Sequence, residues 1–202
     1  DDEQPVAGPQ TLFDKIVARH RLRNGFVRAD LRFIHEYYTG MCAHLLQQHA
    51  GDDYRLHEPQ SIVCFEDHLS YVEQSPAHVA HGLVPGVRRL SRAHRDFVAR
   101  HGLKDHGYAP AGEGSQGISH AMVAERYALP GQVVVGTDSH TPHSGALGCV
   151  AFGVGSTEMA NAFLTGAVRM GTPQVLRVEI DGRLPIGVSA TSARCRKPYT
   201  CR

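Results

Sequence analysis

Two short apolar runs, each followed at once by acidic and histidine residues, constrain the fold of this chain more than any other feature. Ser61–Phe65 precedes Glu66-Asp67-His68, and Gln132–Gly136 precedes Thr137-Asp138-Ser139-His140. A continuous apolar run of this length is typical of a buried strand in a parallel sheet. Helical apolar spacing separates the runs, and this alternation predicts an α/β protein with a largely parallel sheet. Because ligands bind beyond the carboxyl ends of such strands, both polar clusters are predicted at the functional edge.

The remaining elements are predicted from apolar spacing and from the positions of glycine and proline. Helices are predicted over Leu12–His20, His35–Gln48, Ile118–Tyr127 and Ser156–Met170, and another helical region is predicted to begin at Ser75-Pro76. Strand character is predicted at the start of Phe26–Ile34 and over Gln174–Ile180, whereas 107–116 is predicted as a loop and 145–155 is glycine-rich.

Composition excludes several classes of protein. The chain has 202 residues, of which 42% are hydrophobic and 20% charged, so it can bury the core of one large or two small domains. No apolar run approaches the roughly 18 residues of a membrane span. The net charge of +1 lacks the basic excess of a nucleic-acid-binding domain, so neither a membrane nor a nucleic acid is predicted as a partner. The acidic N-terminus is unlike a signal peptide and has no initiating Met, so we expect a processed chain or a fragment.

The numbers and spacing of the cysteines and histidines limit the kinds of functional site that the chain can form. The five cysteines include no C-x-x-C pair, which excludes zinc-ribbon and redox signatures and favours a reduced, cytoplasmic protein. The chain also contains 14 histidines, and imidazole is both a metal ligand and a proton carrier near neutral pH. Most histidines are predicted on the surface, including five that lie among charged residues and glycines: His20, His49, His94, His101 and His106.

Three segments carry the candidate site residues. In Asp67-His68, a carboxylate beside an imidazole can fix its tautomer and raise its pKa, which makes a better general acid. The alternative is a polar loop that caps the next helix. Asp138-Ser139-His140 ends a strand and turns through a Pro- and Gly-containing segment, either as a site or as an ordinary β-turn. His120 lies near a predicted helix start, either as a site residue or as a hydrogen-bonded core histidine.

Three other kinds of site are alternatives for these segments. A Ser-His-Asp hydrolase needs Ser139 on a G-x-S-x-G elbow, which the sequence lacks. Gly153-Val154-Gly155 supplies only two of the three glycines of a dinucleotide-binding loop. A mononuclear metal hydrolase could use four residues of suitable type, although no H-E-x-x-H motif supports it: His68, His120, Asp138 and His140.

The longest of these segments carries a family likeness. Gly117–Glu158, which contains G-I-x-H, P-G, G-T-D-S-H-T and a glycine-rich stretch in that order, resembles the aconitase superfamily. Asp67-His68 matches that family's earlier Asp-His pair. Thr11–Ile16 resembles the opening of 3-isopropylmalate dehydratase large subunits. The likeness covers residues 10–190, and 1–9 is predicted as an N-terminal extension.

The resemblance implies a fold, a reaction and a set of roles. It implies a truncated, three-layer α/β region with a parallel sheet, from the N-terminal part of an iron–sulfur hydro-lyase that dehydrates and rehydrates a hydroxy-di- or tricarboxylic acid. Through the resemblance, Asp67 and His68 form the acid pair, Asp138 orients the imidazoles, and His120 and His140 hydrogen-bond around the substrate. Substrate contacts are implied for two further residues: Ser139, which meets a carboxylate, and His143.

The chain also departs from the family pattern. The family holds a [4Fe–4S] cluster with a lone Cys and a C-x-x-C pair, and no cysteine here matches them, so no metal ligand is predicted in this chain. We therefore expect this chain alone to be inactive. A small dehydratase subunit is the implied partner, and a non-catalytic subunit-docking module is the alternative function. The tail 191–202 carries four basic and no acidic residues without apolar periodicity, and we expect a frameshift or truncation there.

Overall fold

The computed structural model describes residues 10–107 and 115–171, together with residues 173, 174 and 176. The chain divides into two compact units, Asp1–Met170 and Gly171–Arg202, and every helix and strand given below belongs to the first. The extension 1–9, the tail 191–202 and most of two other predicted elements, the loop 107–116 and the strand Gln174–Ile180, lie outside the described residues.

The elements alternate between helix and strand along most of the chain. The helices are α1 (Leu12–His20), α2 (Glu36–Ala50), α3 (Pro76–Ala80), α4 (Val84–His101), α5 (Ser119–Arg126) and α6 (Ser156–Thr165). The strands are β1 (Phe26–Arg28), β2 (Leu31–His35), β3 (Ile62–Phe65), β4 (Lys104–His106), β5 (Val133–Gly136), β6 (Val150–Gly153) and β7 (Ala167–Arg169).

A five-stranded sheet of order β4-β3-β2-β5-β6 forms the centre, and every pair in it is parallel. The chain runs from β2 outward through β3 to β4, and it then returns to the other side of β2 to form β5 and β6. This reversal makes the boundary between β2 and β5 a topological switch point. Connections leave such a boundary in opposite directions and open a crevice at the carboxyl ends of the strands, where ligands bind.

Apolar residues on the two faces of the sheet pack into two separate cores. One core joins the strands to α1, α2, α4 and α6, with Ile34, Cys64 and Val135 on the strands and Phe163 on α6. The other joins the opposite face to α5, with Phe33, Phe65 and Val134 packed against Met122 and Val123. Helices therefore cover both faces of the sheet, and the predicted α/β class with a parallel sheet is confirmed.

Two glycines set the local geometry. At the end of β5, a Cβ on Gly136 would lie 2.3 Å from the Phe33 ring and 2.6 Å from Thr141 Oγ1, so only glycine fits where the chain leaves the sheet. Gly166 has a φ of +72° and ends α6, since this left-handed conformation is costly for other residues. The predicted helix Ser156–Met170 is therefore wrong beyond Thr165. Residues 167–169 instead form β7, which pairs antiparallel with β1.

Several other expectations need correction. The sequence did not indicate β4, which lies among charged residues, or β6, which lies inside the glycine-rich segment. Three histidines expected on the surface are buried because each has a polar partner: His20 with Asp30, His94 with Thr39 and Asp105, and His106 with Gln116 and Tyr127. Across the described part of the chain, no helix combines the length and apolarity needed to cross a bilayer.

Candidate active site

The carboxyl ends of β2, β3 and β5 bring the candidate residues to one edge of the sheet. His35 ends β2, Asp67 and His68 follow β3, and Asp138 follows β5. Because β2 lies between β3 and β5, the segments after β3 and β5 reach across the end of β2 and meet at the switch point. The first residue after β3, Glu66, is instead engaged by α4 and accepts hydrogen bonds from two nitrogens of the Arg95 guanidinium.

The imidazole of His68 lies between two carboxylates. Its Nδ1 is 2.7 Å from Asp67 Oδ1, and its Nε2 is 3.0 Å from Asp138 Oδ2. The hydrogen bond to Asp67 raises the pKa of His68 above its ordinary value of 6.5, although partial burial acts against this. With an acceptor at both nitrogens, the doubly protonated imidazolium is the favoured form. The side chain is 35% exposed, so this proton is accessible from the crevice.

Asp67 also anchors the segment to α5. Its Oδ2 accepts a hydrogen bond from the backbone N–H of Ser119 at 2.6 Å, which satisfies a free donor at the first turn of that helix. Burial acts to raise the pKa of Asp67, but the hydrogen bonds from His68 and from the Ser119 backbone outweigh it and lower the pKa. Asp67 is therefore an ionised partner that stabilises the charge on His68.

Two residues missing from the sequence-based site hold this arrangement in place. Glu36, at the start of α2, is 1% exposed and accepts backbone N–H bonds from Asp67, His68 and Leu69. His35 stacks on His68, with ring centroids 3.6 Å apart. Burial, followed by the nearby charge of His68, lowers the pKa of His35 to about 4. The available signal was Leu31–Ile34, which is apolar apart from Arg32 and is followed directly by His35-Glu36, much as polar residues follow the other two strands.

We call Glu36, Asp67 and His68 the anchored cluster, and His120, His140 and His143 the open cluster. In the open cluster, His120 stacks on His140 with centroids 4.7 Å apart, and its centroid lies 5.7 Å from that of His143. Burial lowers the pKa of His120, although nearby Asp138 opposes the shift. These histidines come from the start of α5 and from the turn after β5.

Asp138 joins the two clusters and is only 4% exposed. Its Oδ2 faces His68, whereas its Oδ1 accepts the backbone N–H of His140 at 2.6 Å. Its Oδ1 also lies 3.6 Å from His120 Nδ1 and 3.4 Å from His140 Nδ1. Ser139 is exposed, with its hydroxyl 3.3 Å from His140 Nδ1. The structure thus places the residues that the sequence predicted at one edge of the sheet. Ser139 and His143 lie beside the other site residues without a direct side-chain contact to Asp138 in the described part of the chain.

The cysteines in the described part of the chain do not fit an iron–sulfur cluster. Cys42 and Cys64 belong to one apolar core and Cys149 to the other, on opposite faces of the sheet. Burial raises the pKa of Cys42 to about 12 and also raises the pKa values of Cys64 and Cys149, which disfavours the thiolate form that binds metal. No cysteine belongs to either group of close potential ligands in the described residues.

The fold and the site define a class: a doubly wound α/β protein whose acid–imidazole site lies at a switch point of the sheet. The sequence profile of the Aconitase family (aconitate hydratase) matches residues 14–192, so the chain belongs to that family. Among its relatives, a 3-isopropylmalate dehydratase large subunit 1 from Methanopyrus kandleri is 37% identical over 67% of this chain and 29% of its own length. Large subunits from Elusimicrobium minutum and Geobacter sulfurreducens are 32% and 29% identical over 90% of this chain, and 41% and 40% of their own lengths.

The chain spans less than half the length of each of these relatives. The names of these relatives match the resemblance seen in the sequence, and the comparisons give no better support to the two alternatives, a mononuclear metal hydrolase and a subunit-docking module.

Proposed function

We propose that this chain is the N-terminal portion of a hydro-lyase that removes water from a hydroxy-di- or tricarboxylic acid and adds it back, of the 3-isopropylmalate dehydratase or aconitase type. The observation that carries this proposal is His68, held between Asp67 and Asp138 at the switch point. Family membership supplies the reaction class, and the position of His68 supplies a proton donor in the crevice where a ligand would bind.

His68 would deliver a proton to the leaving hydroxyl group of the substrate. The carboxylates at its two nitrogens stabilise its protonated form, and Glu36 fixes the backbone that carries it. Stacking against the neutral ring of His35 sets the plane of the imidazole without adding a second charge. In the reverse reaction, the same imidazole would take the proton back from the water that is added.

The substrate carboxylates would be recognised at the exposed part of the same edge. The hydroxyl of Ser139 and the imidazoles of His140 and His143 lie in the turn after β5 and are exposed. These groups can donate hydrogen bonds to a carboxylate, whereas one oxygen of Asp67 and one oxygen of Asp138 already face His68. An anionic substrate would therefore approach from the side of the open cluster.

The likeness to the family implies a [4Fe–4S] cluster in the intact enzyme, held by cysteines outside the described residues. The relatives named as large subunits also imply a small subunit as partner. The free thiols of Cys42, Cys64 and Cys149 support a reducing, cytoplasmic location. We expect no turnover from this chain alone.

The test is a chimera in which residues 14–170 of this chain replace the matching segment of the Methanopyrus kandleri large subunit, assembled with its small subunit and reconstituted with iron and sulfide. We expect dehydration of 3-isopropylmalate. His68→Asn should lower kcat by about 10²- to 10⁴-fold, the usual range for a general acid. The matched control is His49→Asn, an exposed histidine at the end of α2. Full activity in His68→Asn, or turnover of 3-isopropylmalate or citrate by the isolated chain, would contradict the proposal.

A further inference from the structure

Three potential metal ligands face one another beside Asp138. His120, Asp138 and His140 each offer one ligand atom, and these three atoms all lie within 4.8 Å of one another. From this arrangement we infer that His120, Asp138 and His140 form a mononuclear divalent-metal site of the tetrahedral zinc type, with one open position. The inference goes beyond the proposed hydro-lyase function and does not depend on it.

The distances fit coordination better than hydrogen bonding. Asp138 Oδ1 lies 3.6 Å from His120 Nδ1 and 3.4 Å from His140 Nδ1, whereas N–H···O hydrogen bonds measure about 2.7–3.2 Å. Zinc binds imidazole nitrogen and carboxylate oxygen at about 2.0–2.2 Å, so two ligands on its coordination tetrahedron lie about 3.4 Å apart. The two distances from Asp138 Oδ1 therefore match a single ion beside this oxygen, and the stacked rings of His120 and His140 must turn to direct both nitrogens at the ion.

An unpartnered atom provides independent support. His120 Nδ1 is buried and has no hydrogen-bond partner among the described residues. Buried polar atoms normally have a partner, so an orphan directed towards a carboxylate indicates a missing ligand. A metal ion bound by the lone pair of this nitrogen would satisfy it.

The carboxylate is already oriented for this role. The backbone N–H of His140 donates to Asp138 Oδ1 at 2.6 Å, and His68 Nε2 lies 3.0 Å from Asp138 Oδ2. Such outer hydrogen bonds fix the direction of a metal ligand and strengthen binding. Ser139 Oγ, 3.3 Å from His140 Nδ1, can rotate away when the ion binds. The high exposure of His140 leaves the fourth position open to water or to a ligand oxygen.

Two of the three residues in the second group of close ligand types at this edge are already engaged, although His35 Nδ1 has no hydrogen-bond partner among the described residues. His35, Glu36 and His68 also come together, but the Glu36 carboxylate accepts three backbone N–H bonds. Both nitrogens of His68 already lie within 3.0 Å of carboxylate oxygens, so neither nitrogen is free to bind a metal. The metal site is therefore assigned to the group that contains His120 and His140.

The experiment uses the full 202-residue chain, stripped with a chelator and titrated with Zn²⁺ by calorimetry and with Co²⁺ by visible absorption. We expect one equivalent per chain, bound at micromolar concentration or below, and a Co²⁺ spectrum of tetrahedral form. His140→Ala should weaken binding at least tenfold, and Asp138→Asn, which keeps the side-chain volume, should do the same. His49→Ala is the matched control and should bind as tightly as the unchanged chain.

Thiols in the tail are the main competing ligands, so the titration is repeated in a Cys195→Ser, Cys201→Ser background. Retained binding in that background, lost on His140→Ala, would support the site. The inference is overturned if no ion binds at micromolar concentration, if His140→Ala and Asp138→Asn both bind normally, or if the two serine substitutions abolish binding. Circular dichroism of each variant establishes that a lost ion does not reflect a lost fold.

Discussion

The anchored cluster and the open cluster meet at Asp138, but they use its two oxygens differently. On the anchored side, both oxygens of Glu36, both oxygens of Asp67 and both nitrogens of His68 have partners within 3.2 Å. On the open side, the imidazole nitrogens of His120 and His140 lie 3.6 and 3.4 Å from Asp138 Oδ1. One cluster is saturated by the protein itself, whereas the other keeps atoms available for a ligand.

Because of this difference, the anchored cluster contributes mainly to stability and the open cluster mainly to binding, although both lie at one edge of the sheet. Saturated, buried polar groups are costly to disturb, because removing one partner leaves the others buried and unsatisfied. Exposed groups without strong partners add little to stability and can bind a ligand without first breaking internal bonds. Substitutions on the anchored side should therefore reduce the free energy of unfolding, and those on the open side should reduce ligand or metal binding.

The largest loss of stability is expected from Glu36→Ala. This change leaves the backbone N–H groups of Asp67, His68 and Leu69 without their acceptor. We expect the free energy of unfolding, measured by urea denaturation, to fall by about 3–5 kcal/mol. Glu73→Ala is the control, because Glu73 forms an exposed ion pair with Arg88, and it should cost less than about 1 kcal/mol. Equal losses from the two changes would mean that the anchored cluster contributes no more to stability than an exposed ion pair does.

Gly136→Ala tests the packing beneath Asp138. A Cβ at this position would lie 2.3 Å from the Phe33 ring, so the sheet or the turn after β5 must shift. We expect a loss of about 2–3 kcal/mol in the free energy of unfolding. Gly86→Ala is the matched control, since Gly86 lies in α4 with nothing within 4 Å, and it should be neutral or stabilising. A tolerated Gly136→Ala would show that the position of Asp138 does not depend on this close contact.

The sequence predicted the two strands that consist of continuous apolar runs, and most of the candidate site residues follow these two strands. Ser61–Phe65 and Gln132–Gly136 were recognisable because buried parallel strands are continuously apolar. The strand β4, Lys104–His106, was not recognisable because it contains three polar residues and no apolar run. Similarly, Val150–Gly153 lies among glycines that favour turns, so only its pairing with β5 identifies it as a strand.

Strand order explains why two site residues were missed. His35-Glu36 was assigned to a helix, and α2 does begin at Glu36, but local periodicity does not reveal which strands flank β2. Only the placement of β2 between β3 and β5 brings His35 onto His68 and brings Glu36 to the backbone of residues 67–69. The strand end at His35-Glu36 could mark these residues as candidates, but their partners are set by long-range pairing, which depends on the whole fold.

Asp67→Asn should have an intermediate effect and should reveal the coupling to His68. The amide keeps an acceptor for the Ser119 N–H but removes the charge, so we expect a loss of about 1–2 kcal/mol in the free energy of unfolding. The pKa of His68, followed by NMR, should fall, because hydrogen bonding to Asp67 is the main cause that raises it. Asp52→Asn, an exposed change in the loop after α2, should leave that pKa unchanged.

The same variant should change how stability depends on pH. Because the folded-state pKa of His68 is raised, its contribution is complete below 6.5 and is lost as the pH rises through the folded-state value. Because the pKa of Asp67 is lowered, its contribution is present above 3.8 and is lost as the pH falls through the folded-state value. Asp67→Asn should flatten both limbs of the stability curve. Limbs as steep as in the unchanged chain would mean that other groups dominate this dependence.

The smallest change in stability is expected from His140→Ala, and this result sharpens the comparison most. His140 is 67% exposed and its backbone N–H, which binds Asp138, remains in the variant. We therefore expect the free energy of unfolding to change by less than about 0.5 kcal/mol, while Zn²⁺ binding falls at least tenfold. A destabilisation as large as that of Asp67→Asn would mean that the open cluster is also structural. A small change in both stability and metal binding would instead leave His140 only the role of a substrate contact.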